Sequence, residues 1–440
     1  MYGLSREEFR FALLIGSSHF TQHAYYRLLP PLIPVLAVVL AYPLWQLGLL
    51  ISLYQLSSGI AQAPMGVLAD RVDRRYLLPT GLALTGAAYI VFAAAPILGE
   101  QIPAATVLGY GFEGDFLIMS LAMMIVGIGL SVVHPAGYPM ITDNVSDANK
   151  GKLFGIFGAS SKLGDAAIPA AIAVLILLFR WEQIILLFGV IGLLYGIGLF
   201  LVLGGERYET VPAGQQRTET QAVSSETPRD RRTFLYPMTA VYLFFISSML
   251  TTRGLNSFLP AFLVAVYAYS LQIGGVAVGA ESIANVFFAV LLLSGALMQL
   301  VLGGMADSHS PRRLIIYCMT LATVGTVALA TVDLHPLLLL FVIVILGTGL
   351  YGVNPPRDAL ISDLSPPEYE GRAFGYIFTA AMVTAAPLPT VIGYVLEAVG
   401  MREGFLLLAA GPILAALCIA LLYSDRIYIE KPDPTVETSD

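Results

Sequence analysis

Residues 143–155 read Asp-Asn-Val-Ser-Asp-Ala-Asn-Lys-Gly-Lys-Leu-Phe-Gly, and residues 363–375 read Asp-Leu-Ser-Pro-Pro-Glu-Tyr-Glu-Gly-Arg-Ala-Phe-Gly. Without a gap, Asp143 aligns with Asp363, Gly151 with Gly371, Lys152 with Arg372, Phe154 with Phe374 and Gly155 with Gly375. The same offset of 220 (363 less 143) carries Pro135 onto Pro355 and Pro169 onto Pro389. Further echoes join Ser17-Ser18 with Ser247-Ser248, His23 with Arg253, and Gly66-Val-Leu-Ala-Asp70 with Gly303-Gly-Met-Ala-Asp307. The chain is two copies of one plan.

What flanks these segments is apolar. The hydrophobic set makes up 57% of 440 residues, charged residues only 12%, and mean hydropathy is +0.78, whereas a soluble globular chain carries about a quarter charged residues. Runs such as 314–332 and 404–423 approach the ~20 residues that cross a ~30 Å hydrocarbon core. Six spans are predicted in the first copy, over 11–40, 45–69, 76–98, 116–141, 153–179 and 184–203. Six follow in the second, over 234–267, 282–305, 314–332, 336–360, 373–399 and 404–423. The fold class read from this pattern is an all-α integral membrane protein of twelve transmembrane helices in two pseudo-symmetric six-helix bundles. The bundles are residues 1–204 and 234–425, joined by a cytoplasmic linker, 205–233, and followed by a cytoplasmic tail, 426–440. The linker is rich in Glu, Gln, Thr, Ser and Arg and cannot bury enough apolar surface to fold alone.

Cations set the orientation. Arg71, Arg74, Arg75, Lys150, Lys152, Arg312, Arg313 and Arg372 fall on the linker's side, while the opposite loops keep Arg180 and Arg402. By the positive-inside rule the linker and both termini are cytoplasmic, and the plasma membrane is the expected location. The net charge of −7 carries no nucleic-acid signature. Cys318 and Cys418 stand in apolar runs and are read as packing residues, without the spacing of a metal site.

Ionisable residues inside spans point to a pathway, because a charge at the bilayer centre needs a partner or a task. His19, His23 and Arg27 recur every four residues in the first helix and form one stripe with Ser18 and Gln22. His134 precedes Pro135 in the fourth. Lys162 and Asp165 lie three apart on one face of the fifth, as an ion pair or as part of a substrate or proton path. Arg253 with Asn256 repeats the stripe in the seventh helix, and Arg357 with Asp358 follows Asn354-Pro355-Pro356 in the tenth, where the prolines break regular helix. Arg253, Lys162 and Arg357 favour an anionic small-molecule substrate such as a carboxylate or phosphonate, and the histidines with Asp165 are the groups that would titrate if protons drive transport.

Gly66-Val67-Leu68-Ala69-Asp70-Arg71-Val72-Asp73-Arg74-Arg75 resembles the signature loop between helices 2 and 3 of the major facilitator superfamily, with a degenerate copy at Gly303 to Asp307 and Arg312-Arg313. The resemblance implies a conformational latch: the glycine admits close helix approach, and Asp70, Arg71, Arg74 and Arg75 pair with neighbouring charges in one state. Asp143, Lys152, Asp307, Arg312, Asp363 and Arg372 are assigned to the same gate. A finer resemblance is to the fosmidomycin-resistance-like branch, carried by Ser18-His19, His134-Pro135 and the entry to helix 5 at Gly151, Phe154, Gly158 and Gly164; Gln22-His23 and Lys162 depart from it. The implied function is alternating-access secondary transport, with no cofactor or metal, working as a monomer in the lipid bilayer. Drug or antibiotic efflux by the same fold stays open beside it, as does a non-transporting receptor. A polytopic membrane enzyme is the remaining alternative, although the chain has no HExxH, GxSxG or phosphate-binding lysine loop.

Overall fold

A computed structural model describes residues 4–205, 208–212, 235–306, 308–365 and 370–427. Asp307, the Arg372 side chain, most of the linker and residues 428–440 lie outside the described residues. The chain forms twelve transmembrane helices: α1 Arg6–Tyr26, with a short continuation Ile33–Val39, α2 Leu44–Ala69, α3 Arg74–Gly99, α4 Gly114–Asn144, α5 Asp147–Leu175 and α6 Trp181–Leu203. The second half repeats the plan with α7 Leu235–Val266, α8 Ala280–Ala306, α9 Pro311–Thr331, α10 Pro336–Leu364, α11 Glu370–Ala385 continued by Leu388–Val399, and α12 Met401–Tyr423.

Among the described residues nine of these are long and apolar enough to span a bilayer by length and composition. The three that fall short, α1, α2 and α5, carry the histidine stripe, a Gln- and Ser-rich segment, and Lys162 with Asp165. Polarity lowers their hydropathy where the first half keeps its buried polar groups.

Local chemistry sets the ends and breaks. Helix α1 begins in a capping box, in which the Glu8 backbone N–H donates to Ser5 Oγ at 3.1 Å and the Ser5 N–H donates to Glu8 Oε2 at 2.9 Å. Glu8 also accepts from the Ser146 hydroxyl at 2.8 Å and from the Asn149 amide, tying the start of α1 to that of α5. Helices α4 and α10 break within two residues of matching points of the repeat, after Leu130 and after Gly352, and the second segments carry His134-Pro135 and Asn354-Pro355 in their first turns. A proline cannot donate to the preceding turn and its ring crowds that turn's carbonyl.

Two antiparallel hairpins cap loops away from the linker: β1 Ala105–Val107 with β2 Tyr110–Phe112, and β3 Leu271–Ile273 with β4 Val276–Val278. Both turn through two residues of positive φ, Leu108-Gly109 and Gly274-Gly275, as a twisted two-residue turn demands.

Packing divides the described chain into two compact units, one within Met1–Gly214, Gly254–Leu293 and Ala386–Gly404, the other within Gln215–Arg253, Ser294–Ala385 and Phe405–Asp440. In the first, the ends of α8 and α11 farthest from the linker pack on first-half helices. A Cβ at Gly48 of α2 would strike the Pro389 carbonyl, and one at Gly393 of α11 would strike that of Leu44, so the two backbones touch. Thr390 Oγ1 bonds Ser52 Oγ at 2.8 Å, Glu397 accepts the Leu44 N–H at the start of α2, and Asn285 of α8 donates to the Pro31 carbonyl at 3.2 Å. The second unit has its own core, including Val241, Phe244, Ile315, Met319, Ile361 and Ile419. Cys318 is fully buried in that core and Cys418 packs against it, as packing residues do.

Candidate functional site

The stripe on α1 meets α4 and α5. Arg27 Nε donates to Asp165 Oδ1 at 2.8 Å, and His23 Nδ1 lies 3.2 Å from the same oxygen. The carboxylate can only accept, so His23 carries its proton on Nδ1. With 7% of its side chain exposed, Asp165 would be expensive to keep ionised without these partners. The carboxylate of Asp165 faces across to α1, where Arg27 and His23 meet it, and the positive field of Lys162 on its own helix reaches it as well. Arg27 reaches the carboxylate from the facing helix through Nε, while Lys162 stands three residues before Asp165 on its own helix.

His19 sits at the centre of a ring cluster. It stacks on Phe157 of α5 (centroids 3.9 Å apart, planes at 16°) and meets His23 and His134 edge-on at 4.8 and 5.0 Å. His19 Nδ1 lies 2.7 Å from the Phe157 carbonyl, which fixes Nδ1 as the protonated nitrogen. Gln22 donates through Nε2 to the Leu130 carbonyl at 2.8 Å and approaches His134 Nδ1 at 3.4 Å. Tyr138 and Tyr26 flank the histidines, and the Tyr26 hydroxyl is 2.9 Å from Ser58 of α2. Among the described residues no group of three or more His, Cys, Asp or Glu is arranged to hold a metal ion.

In the other unit Arg357 is the focus. Its guanidinium donates to Asp358 at 2.8 Å and to Asn354 at 2.9 Å, and lies over Phe245 and Phe378 at 4.7 and 4.9 Å from their ring centres. That sandwich uses the flat cation against two π faces. Arg253 of α7 donates to Met382 Sδ of α11 at 3.2 Å. Asn256, one turn on, is buried in the first unit.

The gate residues divide. Arg74, 4% exposed, donates to Asp143 Oδ2 at 2.6 Å and to the Ala69 carbonyl at 3.2 Å, closing α3 on α4. Arg75 pairs with Asp73 at 2.8 Å, Lys152 donates to Asn149 at 2.8 Å, and Asp70 and Arg71 are exposed. Arg312 donates to the Leu422 carbonyl at 3.0 Å and lies over Tyr423; its positive field reaches Asp363. The expected close approach at the signature glycine is corrected: Gly66, in the last turn of α2, has open space where a Cβ would stand. Gly303 has Pro355 at ordinary contact distance.

Sequence reading missed Phe157, Tyr26, Tyr138 and Glu8. Phe157 shares the α5 face of Asp165 at two turns' spacing, a signal present in the sequence; Glu8 stands three after Ser5, the mark of a capping box.

The chain matches the Major Facilitator Superfamily over residues 15–292 and 279–439. It is 25% identical over 407 residues to a protein of Escherichia coli (strain K12) named as a probable L-galactonate transporter, covering 88% of this chain and 82% of that one. In structure it is similar to a bacterial homolog of the human lysosomal transporter Spinster in an inward-facing and occupied conformation, with TM-score 0.75, 15% identity, and coverage of 98% and 100%. A D-xylose-proton symporter gives TM-score 0.74 at 13% identity, covering 96% and 98%. The paired six-helix halves and these matches agree: this chain is a multi-pass membrane transporter of the Major Facilitator Superfamily.

Proposed function

We propose that the chain is a secondary transporter of a small organic anion, a carboxylate or phosphonate, driven by protons and working by rocking residues 1–204 against 234–425. The observation that carries this reading is the polar cluster of α1, α4 and α5, where a single carboxylate, Asp165, stands among Arg27, His23, His19 and His134, with Lys162 on the same helix. Basic and protonatable groups outnumber acidic ones there, which suits a cargo that brings its own negative charge. The name of the Escherichia coli relative, a probable carrier of a sugar acid, agrees with it.

Protons enter the reading through groups that exchange partners. His23 and Arg27 share one oxygen of Asp165, so protonating the carboxylate would release both donors at once. The seam of α2 on α11 supports a conformation closed on the side away from the linker. Cytoplasmic termini, a plasma-membrane location and a monomer complete the proposal. A second reading, efflux within the fosmidomycin-resistance-like branch, rests on Ser18-His19 and His134-Pro135, whose two histidine rings are neighbours.

The test is flux into proteoliposomes under an imposed pH gradient, with L-galactonate and a short phosphonate as probes. Uptake that follows the gradient and collapses with a protonophore supports the proposal. Uptake of neutral sugars but of no anion would overturn it.

A further inference from the structure

Two polar atoms of the cluster have no hydrogen-bond partner among the described residues although they are shut from solvent: His19 Nε2 and Gln22 Oε1. His19 is 5% exposed and Gln22 not at all. Each side chain is held by its other end. His19 Nδ1 donates to the Phe157 carbonyl, which leaves Nε2 with a bare lone pair, and the Gln22 amide donates through Nε2 to the Leu130 carbonyl, which leaves Oε1 as its unmet atom. Both orphans are therefore acceptors, one turn apart on the same face of α1. Leaving buried acceptors unmet is costly, and two on one helix face, each with its orientation locked, make a recognition element for a group that donates.

We propose that His19 Nε2 and Gln22 Oε1 form a hydroxyl-recognition subsite, making the cargo a polyhydroxylated acid and not a plain carboxylate. The inference rests on the organic-anion reading and deepens it. A carboxylate accepts only and gains nothing from two acceptors, whereas the hydroxyls of a sugar acid present several donors beside its carboxylate. A ring beside the pair fits the same class: Tyr138, exposed next to His134, offers a face to the C–H surface of a sugar chain. A site built to hydrogen-bond a hydroxyl rejects the analogue that lacks it, because its own buried atoms are then left unpaired.

The experiment is titration calorimetry on the purified full chain in detergent with L-galactonate, a series of its deoxy analogues and hexanoate. The expected result is a loss of affinity of about tenfold or more for removal of a hydroxyl that meets the pair, and a larger loss for hexanoate. In Gln22→Met, checked for folding by its melting curve, the ratio between galactonate and the discriminating deoxy acid falls toward one, while hexanoate binding changes little. Should Gln22→Met not fold, the wild-type series decides alone. Equal affinity for galactonate, every deoxy acid and hexanoate would overturn the subsite and leave the organic-anion reading standing; an unchanged ratio in a folded Gln22→Met would also overturn it. If no acid binds, the organic-anion reading falls and the subsite with it.

Discussion

Arg27 on α1 and Asp165 on α5, 138 positions apart, form one buried ion pair at 2.8 Å, with His23 on the same carboxylate oxygen. The pair locks α1 to α5 at the level of the histidine cluster. Removing one member takes from the other its bonded opposite charge, which costs up to about 3–5 kcal/mol, whereas removing both together costs far less. Arg27→Gln and Asp165→Asn are each expected to lower the melting temperature of the detergent-solubilised protein, and the double variant to recover most of the loss. Additive losses in the double variant would show that the two side chains stabilise the fold independently.

Arg357 is a half-buried cation of the second unit, and its two aromatic neighbours make the prediction specific. Arg357→Lys keeps the charge but loses the flat face that lies over Phe245 and Phe378 and the forked contact with Asp358 and Asn354. A loss of about 1–2 kcal/mol of stability is expected from the stacking alone. Denaturant or thermal melts of Arg357→Lys beside Arg357→Met measure it; a lysine variant as stable as wild type would mean the rings contribute only packing.

The seam of α2 on α11 gives a switchable test of alternation. Ser52 and Thr390 present oxygens 2.8 Å apart, so Ser52→Cys with Thr390→Cys is expected to cross-link under mild oxidation. Flux should stop when the bridge forms and return on reduction. Gly48→Leu places a side chain against the Pro389 backbone, and cross-linking yield should drop steeply in that background. Full flux with the bridge intact would mean this seam never opens during transport.

Glu8 supplies the pH dependence that can be read outside the membrane. Its carboxyl is held down from 4.5 to about 2 by the Ser5 N–H, the Ser146 hydroxyl and the Asn149 amide. The folded state thus favours the ionised form, so its contribution is fully present above pH 4.5 and is lost as pH falls through about 2. Glu8→Gln should flatten the acid limb of the melting-temperature curve between those values relative to wild type. Parallel curves would place the acid sensitivity elsewhere.

These residues also show what sequence can and cannot reveal. The paired Asp…Gly…Phe-Gly segments located the two halves, and Pro355-Pro356 the break in α10, because proline acts through local chain geometry; the matching break in α4 beside Pro135 was not read. Periodicity put His19, Gln22, His23 and Arg27 on one face for the same reason. The α1 partners of Asp165 were not legible: Lys162 is near it in sequence, and nothing in a linear chain says that Arg27 and His23 meet the same carboxylate. The α2–α11 seam was hidden because the chain has 42 glycines and only the folded backbone tells that Gly48 and Gly393 face each other's helices. The first hairpin was hidden because Leu108 occupies a positive-φ position that glycine, asparagine or aspartate usually marks.

The signature loop yields the last prediction. Arg74 is buried and joined to Asp143, while Asp70 is exposed at the end of α2. Asp143→Asn should therefore slow transport more than Asp70→Asn does, since it strips a buried guanidinium of its charged partner. Asp143 is itself about one-third exposed, so the loss is moderated by water to about 1 kcal/mol, a several-fold change in rate. Substrate affinity should stay near wild type in both variants, because neither residue belongs to the cluster of α1, α4 and α5. Exchanging the charges, Arg74→Asp with Asp143→Arg, tests the pairing directly: partial recovery of flux over either single change marks an interaction between the two. If the double variant is no better than the worse single variant, Arg74 acts through its bond to the Ala69 carbonyl, holding the loop in shape without Asp143.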